Sequence, residues 1–261
     1  MICNRERDKK AMGWINASWP APPNVRAGTT TRCEGYSLGQ YAHFNVGDHV
    51  GDDPTAVAAN RAKLKAMLGL TVEPCWLQQI HGNRLVEAQS TYQAPPTADG
   101  SYTQQCHRIP VVVTADCLPI LLCNTAGTFV AALHGGWRSL ANGIITSAVQ
   151  QAIYCNVAPQ HLLVWLGPAI GPEVFQVGAE VRHTFLQNQP FLAEAFQADG
   201  KTRYVASLYH IARQQCNALG ITDIYGGHYC TYSDNHHFYS YRRHKNTGRM
   251  ASLIWLTTSY L

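Results

Sequence analysis

Two histidines and a cysteine stand out by position. His81, Cys117 and His134 each come at the end of a short apolar, β-branched or aromatic run: Cys75 to Ile80, Val111 to Thr114, and Thr128 to Leu133. Runs of this kind, bounded by Gly or Pro, suit buried strands, so the three side chains sit where the backbone turns and can converge. Two imidazoles and one thiolate form a borderline-soft donor set suited to zinc, or to copper. Three protein ligands leave a fourth position for water, the arrangement of a catalytic zinc, which lowers the pKa of that water towards ~7. The spacing matches no short zinc signature, and each residue taken singly reads as an ordinary histidine or buried cysteine. The same side chains also make a metal-free Cys–His pair. In that reading Cys117 is the nucleophile and His134 or His81 the base, with Asp116 or Asp99 orienting the imidazole. The residues alone leave both readings open.

Arg138, Arg242, Arg243 and Arg249 lie in Gly- or aromatic-rich turns. Their planar forks suit phosphate, or stacking on a base, although each taken alone also reads as a structural ion pair. Arg138, Arg242 and Arg243 are the candidate substrate-binding residues. The stretch Gly167-Pro168-Ala169-Ile170-Gly171-Pro172 reads either as an active-site loop or as a tight corner, and it is no phosphate-binding glycine motif. His236-His237 reads as solvated loop. The nine cysteines are scattered, odd in number and without a CxxC pair. They make a poor disulfide framework and suit buried thiols in a reducing compartment.

The elements that must position these residues are mixed. Pro54 to Leu68 carries Val57, Asn60, Arg61, Leu64 and Leu68 at helical spacing, with Asp53 to cap it and Gly69 to stop it. Ile144, Ile145, Ala148, Val149, Ala152 and Ile153 mark an amphipathic helix. Leu162 to Leu166 reads as a strand, and Gly178 to Phe185 and Ser207 to Leu219 as helices, the last stopped by Gly220. Phe238 to Tyr241 alternates like a strand, turns at Asn246-Thr247-Gly248 and returns through Met250 to Trp255, a hairpin reading. Strands and helices alternate without a βαβ cadence. The expected fold is α+β, a single domain over residues 1–261 with mixed sheets layered against helices.

Composition narrows the function classes. Twenty basic against sixteen acidic residues give +4 with no long cationic run, so no nucleic-acid partner is expected. No apolar stretch approaches the ~18 residues of a membrane span, and the first ten residues are too charged for a signal peptide. A cytoplasmic protein is expected. The hydrophobic fraction of 46% is that of a chain with a proper core and excludes intrinsic disorder.

Taken in order, a set of short segments resembles one family across nearly the whole chain. Early members are Thr29-Thr30-Thr31-Arg32, Asn45-Val46-Gly47, Val50-Gly51-Asp52-Asp53-Pro54, Gln79-Ile80-His81-Gly82 and Ala98-Asp99-Gly100. Later ones are Thr114-Ala115-Asp116-Cys117-Leu118-Pro119, His134-Gly135-Gly136-Trp137-Arg138, Gly167-Pro168-Ala169-Ile170-Gly171 and Tyr239-Ser240-Tyr241-Arg242-Arg243. The chain thus resembles the YfiH-like family, also called multicopper polyphenol oxidoreductase (laccase domain). Gly135 and Tyr239 depart from the Ala and Phe of many members, and neither touches a candidate ligand. The resemblance implies an α+β fold of the kind grouped with cysteine hydrolases, and a metal site on His81, Cys117 and His134. It also implies small-molecule partners, a nucleoside and phosphate. The expected reactions are phosphorolysis of adenosine, inosine and methylthioadenosine, and deamination of adenosine. Copper-dependent phenol oxidation and editing of peptidoglycan precursors are the alternatives.

Overall fold

The computed structural model describes residues 13–89 and 93–258. Its strands are β1 (Trp14–Asn16), β2 (Val25–Thr30), β3 (Leu85–Glu87), β4 (Gly100–Thr103), β5 (Val111–Thr114), β6 (Leu118–Asn124), β7 (Val130–Gly135), β8 (Leu162–Leu166), β9 (Gln176–Gly178), β10 (Phe196–Asp199), β11 (Arg203–Ala206), β12 (Asp223–Gly226) and β13 (Met250–Leu256). The α-helices are α1 (Pro54–Leu68), α2 (Trp137–Ala141), α3 (Ile144–Tyr154), α4 (Ala179–Asn188) and α5 (Leu208–Ala218).

A six-stranded sheet in the order β12-β8-β6-β7-β4-β3 forms the centre, with parallel pairs at both edges and antiparallel pairs between. A four-stranded antiparallel sheet, β1-β2-β13-β5, stacks on one face of it. The inner strands β5, β6, β7, β8 and β13 are buried almost throughout, which is why they read as largely apolar runs. In β6, Ile120 and Leu122 face the helices α3 and α5, while Leu121 and Cys123 face the second sheet beside Ile254 and Leu256. In β13, Leu253 points the other way, towards Leu64 of α1. The layers therefore run α1, four strands, six strands, then α3 and α5, with the small antiparallel sheet β10-β11-β9 packed beside the helices. This is the expected α+β architecture with mixed sheets.

Helix ends follow their caps. The Asp53 side chain accepts from the Thr55 N–H at 2.9 Å, and Gly69 closes α1 at φ 63°. Ser207 accepts from His210 N–H at the start of α5. Buried aliphatics such as Ile144 and Ile145 each contribute about 1.5–3 kcal/mol to holding α3 on the sheet.

Three expectations are corrected. Cys75 to Ile80 is not a strand: it makes only isolated bridges at Cys75 and Gln78, and beyond them its N–H groups turn to the Asp99 carboxylate. Phe238 to Tyr241 is not the first arm of a hairpin, and β13 pairs with β2 and β5 instead. Phe238, Tyr239 and Ser240 are all fully buried, so the segment does not alternate. It winds around Asp116, which accepts from Ser240 Oγ and the Arg242 N–H. Finally, His134 lies within β7 rather than after it, whereas Cys117 follows β5 as expected, in the three-residue passage to β6.

Candidate metal centre and the chambers around it

Three separate segments deliver the three donors. His81 comes from the loop before β3, Cys117 from the passage between the two large sheets, and His134 from β7. Their ligating atoms all lie within 4.8 Å of one another. Cys117 Sγ is 4.0 Å from His81 Nε2, and the two imidazoles meet edge to face with centroids 4.7 Å apart. Among the described residues this is the one cluster of three or more such donors.

Asp99 organises it. Fully buried, its carboxylate accepts the backbone N–H groups of Ile80, His81 and Gly82 at 3.2, 2.8 and 2.7 Å, and His134 Nδ1–H at 2.8 Å. The first three hold His81 in a left-handed conformation, φ 62°, that non-glycine residues rarely adopt. The fourth fixes the His134 tautomer and leaves Nε2 with its lone pair free for a ligand. Of the two aspartates the sequence offered for orienting an imidazole, Asp99 does so. Asp116, itself at φ 93°, spends its oxygens on Thr231 Oγ1, Ser240 Oγ and the Arg242 N–H.

The electrostatics suit a thiolate. Burial pushes the Cys117 thiol up, but His134 and His81 outweigh burial and hold it at about 6. Burial likewise pushes His134 down, and Cys117 and Asp99 outweigh it to raise the imidazole to about 9. The same balance leaves Asp99 below the usual carboxylate range: burial raises it, while His134 and the N–H groups of Gly82 and Ile80 lower it further. A soft, anionic donor between two imidazoles is a ligand set for a divalent metal. Space for an ion is kept by Gly136, where a Cβ would meet His81 Cδ2 at 3.0 Å and Cys117 Sγ at 3.2 Å. The residues present therefore fit a metal.

The donors open into a cavity of about 550 Å³ whose wall is rich in cations: Arg138, Arg242, Lys245 and Arg249, with His49 at its border. Arg138 stacks on Trp137 at 4.3 Å, and its guanidinium makes no hydrogen bond or ion pair among the described residues. Arg242 also lines the cavity but donates to the carbonyls of Val174 and Gln176. Arg243 lies outside this lining, its guanidinium donating to the carbonyls of Thr231, Tyr232 and Phe238. Ile170 brings the Gly167–Gly171 loop into the wall, while His237 pairs with Asp234 elsewhere. Lys245 and His49 went unnoticed in the sequence. The Asp48-His49 dipeptide inside a glycine-rich segment was the signal available for the second.

The chain is similar to known proteins along nearly its whole length. A family model described as multi-copper polyphenol oxidoreductase laccase matches residues 26–257. An Escherichia coli K12 protein named purine nucleoside phosphorylase YfiH is 44% identical over 243 residues, covering 93% of this chain and 98% of its own. A Haemophilus influenzae protein named purine nucleoside phosphorylase is 45% identical over 92% of this chain and 98% of its own. Among solved structures, a Neisseria meningitidis protein superimposes with a TM-score of 0.88 at 42% identity, covering 94% of this chain and 99% of that one. YlmD from Geobacillus stearothermophilus does so with a TM-score of 0.90 at 30% identity, covering 95% and 97%. With the match running through all three donor segments and nearly the whole chain, the protein belongs to the YfiH-like family of multi-copper polyphenol oxidoreductase laccase proteins.

Proposed function

We propose that this protein is a zinc-dependent purine nucleoside phosphorylase that also deaminates adenosine. Relatives bearing the phosphorylase name are 44–45% identical over almost their entire length. The observation that carries the reading is the cationic chamber onto which the donor triad opens, a setting for a phosphate beside a reacting centre. Its substrates are adenosine, inosine and methylthioadenosine, cleaved by phosphate to the free base and the ribose 1-phosphate. The eight described cysteines are all free, in keeping with the reducing cytoplasm, and no helix among the described residues is long and apolar enough to cross a membrane.

In this reading His81 Nε2, Cys117 Sγ and His134 Nε2 hold the ion, and Asp99 fixes two of them. The zinc, when bound, supplies Lewis acidity for polarising a substrate oxygen or lowering the pKa of water. Arg138 presents its free fork to phosphate, and Arg242, anchored by Val174 and Gln176, adds fixed positive charge. Arg243 was grouped with them as a substrate-binding candidate. Its carbonyl contacts give it instead the task of holding the Thr231–Phe238 turn under Asp116. The test is chromatography of products from metal-replete protein with adenosine and phosphate. Adenine, ribose 1-phosphate and inosine are expected, and their absence overturns the reading. Arg138→Lys should raise the KM for phosphate about tenfold while deamination, which uses no phosphate, changes little. Equal losses in both reactions would assign Arg138 a purely structural role.

A second reading draws on Cys117 lying against His81 and His134, whose influence lowers the thiol to about 6 as a cysteine hydrolase requires. It predicts activity that resists chelators and disappears on thiol alkylation. Phenol oxidation by several coppers is less favoured, since the described residues offer one donor cluster.

A further inference from the structure

Phosphorolysis needs a proton at the purine as the glycosidic bond breaks, and the roles proposed for the donor triad and the arginines do not supply one. The cationic chamber has a neighbour, a cavity of about 440 Å³ lined by Trp76, Leu77, Ile80, Pro95 and Val111. These side chains give it apolar walls that suit an aromatic ring, and Asp48, Arg61 and Gln78 line the rest of it. Three residues line both chambers: His49, Gln79 and Val113. Val113 is apolar, and the Gln79 amide is no acid and is held in place by Val113. Its Nε2 donates to the Val113 carbonyl at 2.9 Å, and its Oε1 accepts from the Val113 N–H at 2.7 Å. That leaves His49 as the one of the three with an acid–base side chain.

The imidazole is oriented for such a task. His49 Nδ1 faces Asp48 Oδ1 at 3.4 Å, and Nε2 makes no hydrogen bond among the described residues. The other Asp48 oxygen pairs with Arg61 at 3.1 Å, and Arg61 in turn stacks on the Trp76 indole at 4.0 Å. A continuous chain thus links the wall of the apolar chamber to the imidazole at its junction with the cationic one. Within the cationic chamber, Asp116 is fully committed, and Lys245 packs over Tyr241 at 4.4 Å.

We propose that His49 is the general acid of phosphorolysis, with the purine in the apolar chamber and phosphate in the cationic one. A phosphate oxygen forms the bond to the ribose anomeric carbon as the bond from that carbon to the purine nitrogen breaks, its electron pair passing into the ring. The proton on His49 Nε2 moves to the purine, releasing a neutral base. The proton carried in by hydrogen phosphate is lost from the new ester and, through solvent, restores the imidazole. Asp48 is a positioning residue that holds the ring.

The inference rests on the phosphorylase reading, and leaving-group chemistry tests the two separately. An N7-methylated purine nucleoside already carries the positive charge that protonation would supply, so its base leaves without an acid. His49→Gln should lower kcat for inosine by about 10²–10³-fold and leave kcat for 7-methylinosine within a few-fold of wild type. Metal content and the urea midpoint should be unchanged, because the side chain is exposed. Asp48→Asn should show the same selectivity at about tenfold. Equal losses on both nucleosides, no loss on either, or the selectivity appearing in Tyr241→Phe instead would each overturn the assignment to His49. Wild-type protein that releases base from neither nucleoside would overturn the phosphorylase reading itself.

Discussion

A single carboxylate sets the geometry on which everything else at the centre depends. Asp99 satisfies three consecutive backbone donors and one imidazole from a position closed to solvent. Asn at this position accepts through one oxygen only, so at least one of the half-buried N–H groups loses its acceptor, and a charge-assisted bond to His134 is lost. Asp99→Asn should cost about 3 kcal/mol of stability at neutral pH, read by urea unfolding. The acid limb adds a sign check. The Asp99 carboxyl titrates below its usual range in the folded chain. Its contribution is therefore fully present above the unfolded value of about 3.9 and is lost as pH falls through the folded one. The stability gap between wild type and variant should narrow as pH drops from about 5 to about 3. A gap that stays constant across that range would mean the carboxylate charge is not what holds the loop.

At the scale of elements, the decisive junction is the one between β7 and α2. Gly136 there has φ −63° and ψ 156°, angles any residue adopts, so its importance lies in the missing side chain. A methyl group would press on His81, Cys117 and His134 together, at 3.0, 3.2 and 3.5 Å. On the proposed zinc reading, Gly136→Ala should keep the fold and its unfolding midpoint but weaken zinc binding by about 10–100-fold in a chelator competition, the range seen when a metal's supporting shell is disturbed. Unchanged affinity would show that the donors have room to retreat. Some of this frame was legible in the sequence because local signals agreed with the tertiary result. Asp53 and Gly69 bracket α1, Ser207 opens α5, and β8 spans the apolar run Leu162–Leu166. That His81, Cys117 and His134 converge was legible too, although Cys117 alone of the three arrives from a turn after a strand. The choice of Asp99 over Asp116 was not, since Asp116 adjoins Cys117 in sequence while Asp99 adjoins no candidate ligand, and only the folded chain brings Asp99 to His81 and His134. Pro119 hid β6, whose first residues pair with His134 and Gly135 at a strand end that tolerates the lost N–H. The mistaken hairpin has a similar cause: a buried carboxylate, invisible in local pattern, captured the donors of residues 240 and 242.

In the proposed metal reading the ion is coupled to the core, because the three side chains that would hold it arrive from three segments that only the stacked sheets bring together. Cys123 reports on that core. It is fully buried on β6 between the two large sheets, and burial pushes its thiol up to about 12. Cys216 on α5, buried against the opposite face, is pushed to about 12 as well. Neither thiol can react until the layers separate, so alkylation of either follows the population of the globally open state. Cys117 differs: its thiol is held at about 6 and is partly accessible, so in metal-free protein it should alkylate first. Zinc should protect all three, for different reasons. At Cys117 it occupies the sulfur. At Cys123 and Cys216 it acts only by mass action on the folded state, about 2.7 kcal/mol at a hundredfold excess over Kd. Alkylation of both core thiols should therefore slow by about a hundredfold, with mass spectrometry reading each cysteine separately. Protection confined to Cys117 would mean that the loop carrying His81 opens, and the ion leaves, while the sheets stay packed. The site would then be a local device on a rigid scaffold rather than a staple across the layers.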